Sequence, residues 1–357
     1  MIVRIIAAAM AVSSTFCIAH AQQKTDSLTY PQESRHLSNM KQLTFGGDNA
    51  EAYWSFDNKF LSFQSNNPAW GLQCDQIFYM PADGSAAGQK PQMVSNGKGR
   101  TTCSYYMPDG KHILYASTFE GGDACPQEPS KEHGSYIWML YPDFDIYVAD
   151  LKGNITQKLT NEPGYDAEAT LSPKGDKIVF TSLRSGDPEL YTMNIDGSDV
   201  KQITDDLGYD GGAFFSPDGK QIIFRASRPK TDAEVEKYKK LLSENKVEPL
   251  AMELFICDAD GSNLRQITHL GGANWAPYMT PDGKKVLFST NHHSKRGFPF
   301  NIFCINVDGT GLEQITFDNM FDSFPMFSPD GKKLVFGSNR NNGGTRDTNV
   351  FVADWNN

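Results

Sequence analysis

Two glutamates, Glu51 and Glu168, each lie four residues before the serine of a recurring turn, Ser55 and Ser172. Related segments carry Cys103, Gly212, Ala276 and Phe324 in that slot. No cationic residue stands at the matching place on the next strand. Both carboxylates are therefore expected to face a shared central space, where they could hold a cation or a ligand amine. His269 and His293 fall in loops that should open on the same side. Two imidazoles and two carboxylates would give a mixed nitrogen and oxygen site for a divalent cation. No local spacing motif ties the four together, so the primary expectation is no cofactor, with a divalent cation as the alternative.

Six residues before each turn stand Asn49, Thr101, Asp166, Asp210, Asn274 and Asp322. The following segments carry Asn67, Phe119, Arg184, Arg228, His292 and Arg340 in the mirrored slot, so arginine occurs where aspartate occurs and nowhere else. The numbering places each pair directly across a hairpin. Asp166–Arg184, Asp210–Arg228 and Asp322–Arg340 are thus read as structural cross-strand ion pairs rather than a cation site. His292, opposite Asn274, takes the same reading. Trp70, Trp138 and Trp275 should crowd the loop side as an aromatic floor for a peptide or glycan.

Other chemistries are excluded by pattern. The chain has no Gly-x-Ser-x-Gly elbow, no phosphate-binding loop and no Gly-x-Gly-x-x-Gly after a strand. A net charge of −10 argues against nucleic acid as a partner. No later run is long and apolar enough for a membrane span. Arg4, the apolar run Ile5 to Val12 and Ala19-His20-Ala21 read as a signal peptide over residues 1–21, which predicts a periplasmic or secreted protein. Export permits disulfides. Cys103 with Cys125 is the first expectation and Cys74 with Cys125 the second, while Cys257 and Cys304, in apolar strands, should be buried thiols.

The elements that position these residues are repeats. Phe214-Phe215-Ser216-Pro217-Asp218-Gly219-Lys220 reads as strand, tight turn and strand. It recurs at Leu171 to Gly175, Met279 to Gly283, Phe327 to Gly331 and Tyr106 to Gly110, with a degenerate copy at Trp54 to Asn58, giving six copies. Each repeat holds four strand signals, with an apolar second strand such as Ile222-Ile223-Phe224 that needs cover on both faces. Sheets stacked face to face around an axis supply that cover. The expected fold is all-β: a six-bladed β-propeller of four-stranded antiparallel blades over residues 41–357. A strand at Lys41 to Thr44 should complete the last blade and close the ring, and residues 22–40 should form a flexible arm.

Alternate loops lie on opposite faces of such a disc. The long insertions at 119–142 and 229–249 fall on one face, where function is expected. Within the second, Thr231-Asp232-Ala233-Glu234 is a capping box opening a short amphipathic helix. The first contains His133.

The Gln-Leu/Ile-Thr, Ser-Pro-Asp-Gly-Lys and Asp-Gly-Ser signatures resemble the TolB-like family of WD-like propeller repeats, over residues 41 to 354. The resemblance covers the propeller part only and bears on fold rather than function. The expected function is an exported, non-catalytic propeller binding a protein, peptide or glycan on its variable face, as a monomer. The alternative is a metal-dependent lyase or hydrolase with its site at the central channel. Some propeller lyases use a His-rich metal centre, and this sequence offers no such cluster.

Overall fold

A computed structural model describes residues 28–128, 136–295 and 297–356. The signal segment and His133 lie outside the described residues. Six four-stranded antiparallel sheets form the blades of a β-propeller. In blade three the strands are Asp166–Leu171, Lys177–Ser182, Glu189–Asn194 and Lys201–Gln202, running outward from the axis. The last blade joins Asp322–Phe327, Lys333–Ser338 and Asn349–Trp355 to Leu37–Gln42 from the other end of the chain. That strand removes an open edge and closes the ring.

The closing segment is longer than the sequence suggests. Pairing begins at Leu37 with Trp355, four residues before Lys41. Ahead of it Pro31–Arg35 forms a short 3-10 helix. Residues 28–40 are thus not the loose arm that their polar composition predicts. Glu33 explains why: it is fully buried and its carboxylate takes both terminal nitrogens of Arg340 at 2.9 Å.

The repeat signature has a physical reading. The threonine ending each Gln-Ile/Leu-Thr triplet, or Lys-Leu-Thr in blade two, accepts, through its hydroxyl, a backbone N–H on the blade's third strand. Thr44, Thr160, Thr204, Thr268 and Thr316 do this at 2.7–2.9 Å, and Ser95 does it in blade one. The turn serine works similarly: Ser216 Oγ donates to Asp218 and accepts from the Gln221 N–H. Each second strand carries one aromatic ring with no exposure: Phe63, Tyr115, Phe180, Phe224, Phe288 or Phe336. Each faces an aromatic on the third strand of its own blade, as Phe224 faces Phe255. Burying one such ring contributes about 1.5–3 kcal/mol.

The two insertions meet. Trp138–Met139 from blade two pairs antiparallel with Lys246–Val247 from blade four. The helix Asp232–Ser243, opened by the Thr231–Glu234 capping box, packs beside this ribbon, with Tyr238 buried and its hydroxyl donating to Asp187. Among the described residues no helix is long and apolar enough to cross a membrane.

Candidate functional site: an aromatic funnel with a charged floor

The innermost strand of every blade breaks its ladder at one point. The register shifts between Ala50 and Tyr53, and at the corresponding place in the other five blades. At each break one residue takes a left-handed backbone: Glu51, Cys103, Glu168, Gly212, Ala276 and Phe324, with φ between 46° and 58°. A β-bulge of this kind re-aims a side chain out of the sheet. All six residues line one cavity on the axis, with a volume of about 40 Å³. The mirrored numbering is off by two residues, one at the turn, where Leu171 pairs with Ile178, and one at the bulge. Asp166 sits across from Ser182, not Arg184. The three ion pairs nevertheless form, with Arg184 and Arg340 each reaching back two residues to their aspartates at 3.0 Å and Arg228 binding Asp210. His292 bonds Thr290 instead of Asn274, since the ladder pairs Asn274 with Thr290.

Glu168 has a cationic partner that the register argument overlooked. Arg225, on the second strand of blade four, donates to its Oε1. The other oxygen takes the Thr181 hydroxyl at 2.8 Å, the Tyr209 hydroxyl at 2.5 Å and the Gly212 N–H at 3.0 Å. The guanidinium lies over the rings of Trp138 and Tyr209, 4.9 and 5.7 Å from their centroids. Arg225 is only 7% exposed. It fits because Gly211 and Gly212 lie alongside. A Cβ on Gly212 would stand 2.3 Å from the guanidinium, and one on Gly211 would stand 2.3 Å from Glu168. The sequence held a signal for this pair. Residues at the Arg225 register in other blades are Gln64, Ala116, Thr181, Ser289 and Gly337, so Arg225 alone is charged there.

Glu51 differs. Both of its hydrogen bonds fall on Oε2, from the Tyr53 hydroxyl at 3.2 Å and the Cys103 thiol at 3.0 Å. No described cation pairs with it. Burial pushes its carboxyl above the usual range, against the Cys103 bond and the more distant Arg225. Cys103 is therefore a free thiol turned to the channel, and the disulfide is Cys74–Cys125. Cys257 and Cys304 are free and buried.

Below this floor aromatic rings meet across the axis. Tyr53 of blade one stacks on Phe214 of blade four, the opposite blade, at 6.1 Å between centroids. Above it the loop face opens into a funnel of about 910 Å³. An aromatic cluster lines it, with Tyr136, Trp138, Trp275, Phe298, Phe300 and Phe321, beside charged residues at the rim, among them Asp75, Arg100, Glu128 and Arg346. Trp138 and Trp275 lie 5.5 Å apart, and Trp275 stacks on Phe300 at 4.6 Å. Trp70 is not among them. The Pro68–Trp70 turn, capped by Asn67, folds it back onto Phe78 in blade one. Nor do the histidines reach the floor. His269 is exposed outside both cavities, and His293 Nε2 lies 3.0 Å from Asn301. Among the described residues, no three His, Cys, Asp or Glu side chains gather in metal-binding geometry.

Fold and repeat chemistry together define a TolB-like β-propeller. The profile of the TolB beta propeller domain matches residues 141–248. The Tol-Pal system protein TolB of Bordetella pertussis is 26% identical over 29% of this chain, and the Bordetella parapertussis protein matches equally. The match spans 29% of the length of those relatives. Among solved structures, TolB from Acinetobacter baumannii superposes with a TM-score of 0.56 at 21% identity, covering 84% of this chain and 64% of that one. A protein provisionally assigned as TolB from Agrobacterium tumefaciens gives 0.54 at 21% identity, covering 86% and 90%.

Proposed function

We propose that this chain is an exported, non-catalytic propeller that binds a protein or peptide partner in the funnel of its loop face. The carrying observation is the aromatic wall. Rigid rings offer large contact area at small entropic cost and dominate binding hot spots. The wall is also preorganised, with one insertion tied by Cys74–Cys125 and strand-paired to the other. The volume, about 910 Å³, lies at the upper end of the range for ligand pockets and has room for a peptide segment. Glycans remain a second ligand class for such rings. The resemblance to a Tol-Pal system protein favours a protein partner.

Export rests on the Arg4 to Ala21 pattern and on the disulfide, which persists in oxidising compartments. The metal-dependent lyase or hydrolase would need His269 and His293 beside Glu51 and Glu168, where this fold does not bring them. Photo-crosslinking amino acids placed at Tyr136 and Phe298, and at Pro217 on the opposite face, test the binding reading in the native host. Adducts of a defined protein from the first two positions alone support it. Equal labelling from Pro217, or none from the funnel, overturns it.

A further inference from the structure

The charges at the floor do not balance. Glu168 and Arg225 satisfy one another, and Glu168 accepts three further hydrogen bonds. Glu51 is held only by two neutral donors on one oxygen. With Glu51 ionised, the cavity they share carries one net negative charge beneath the aromatic rings of the funnel. An unpaired carboxylate in such a setting is costly to leave alone and attracts a counter-charge. One open carboxylate beside a neutral thiol is a poor cage for calcium, which takes six to eight oxygen ligands, and no cluster of three metal-ligating side chains stands among the described residues. The floor measures about 40 Å³. One water-sized group needs about 10–15 Å³ on this scale, so about two to four such groups fit. An ammonium on a slim aliphatic stem fits that space.

We infer that the funnel reads a primary ammonium on its partner: a lysine side chain descends the axis past Phe324 and pairs with Glu51. This rests on the funnel being the binding site. The rings above would cover the aliphatic stem and favour the cation through their faces. A chain-terminal amine shares this chemistry.

Calorimetric titration with three short peptides tests the inference: acetyl-Phe-Lys-Phe-amide, its norleucine counterpart, and the norleucine peptide with a free terminal amine. On the wild-type protein the lysine peptide should bind about tenfold or more tighter than the norleucine peptide, as a charge-assisted bond requires. Glu51→Gln, which keeps the side-chain shape, should erase that preference and leave the norleucine peptide unchanged. Glu51→Asp should retain part of it. A preference for the free-amine peptide instead, likewise lost in Glu51→Gln, supports the ammonium and moves its source to a chain terminus. Equal binding of all three peptides, or a preference that survives Glu51→Gln, overturns the inference and leaves the funnel standing. No binding of any peptide, with Trp275→Ala also failing to reduce crosslinking at Tyr136, overturns the funnel as well.

Discussion

Asp166, Asp210 and Asp322 each hold an arginine of their own blade, whereas Glu168, two residues past Asp166 on the same strand, holds an arginine of the next blade, and Glu51 holds none. The bulge separates these two rings. Outer positions remain in the ladder, so the repeat dictates their partners. Inner positions are turned out of the ladder by a left-handed backbone, and each blade fills its own differently. Residues that follow the repeat build the wheel, and residues that depart from it build the site.

The sharpest break of this contrast lies in the outer ring. Arg340 carries Asp322 and Glu33 together, both buried, and binds the Leu28 carbonyl at 2.9 Å. Arg340→Ala would strand two buried carboxylates and should cost about 3–5 kcal/mol in urea unfolding. Arg184→Ala strands one buried carboxylate, Asp166, instead of two, and should cost less, about 2–3 kcal/mol. Equal losses would show that the closing segment adds nothing to the sixth blade. The wall above the inner ring should come next. Replacing Cys74 and Cys125 by serine opens a link across 51 residues, and should cost about 2–4 kcal/mol. It should also speed amide exchange at Trp138–Met139 while leaving the outer pairs intact.

These contrasts explain what the sequence could convey. Blade number, closure and the Asp–Arg pairs all follow from spacing repeated around the ring. The inner ring was half legible: spacing put Glu51 and Glu168 on the axis, but Arg225 comes from another blade and lies outside any in-blade register. Cys103 looked like a disulfide partner because its position on the strand was right. Its direction was not, because a bulge turns it inward to Glu51. Trp70 failed for a local reason, a capped turn that spacing does not reveal. Glu33 was hidden by the polar composition around it, since its burial depends on Arg340, more than three hundred residues away.

A third test probes the outer ring by pH. Glu189 is buried beside the Asp210–Arg228 pair, and its carboxyl is pushed up to about 9, first by burial and then by Asp210 and Asp187, against the Thr204 bond. The folded state therefore keeps a proton that the unfolded chain releases near its ordinary value. Stability from this group is full below that ordinary value and declines as pH rises towards 9. Glu189→Gln should flatten the decline. Its advantage over wild type should be small at pH 5 and grow to on the order of 2 kcal/mol by pH 8. A constant difference across that range would contradict the buried proton.

The smallest effect belongs to the inner ring, and its smallness is the point. Burial raises the Glu51 carboxyl above its usual range, so the charged form is disfavoured in the fold. By the same sign its cost appears as pH rises, and Glu51→Gln should gain stability between pH 5 and pH 8 rather than lose it. The cavity at the floor lets water reach the carboxylate, so the gain should stay under about 1 kcal/mol. A residue whose removal slightly steadies the fold, yet whose backbone is held in a left-handed bend, is kept for something other than folding. If Glu51→Gln instead unfolds the protein as Arg340→Ala does, the two rings obey one rule, and the assignment of the inner one to binding falls.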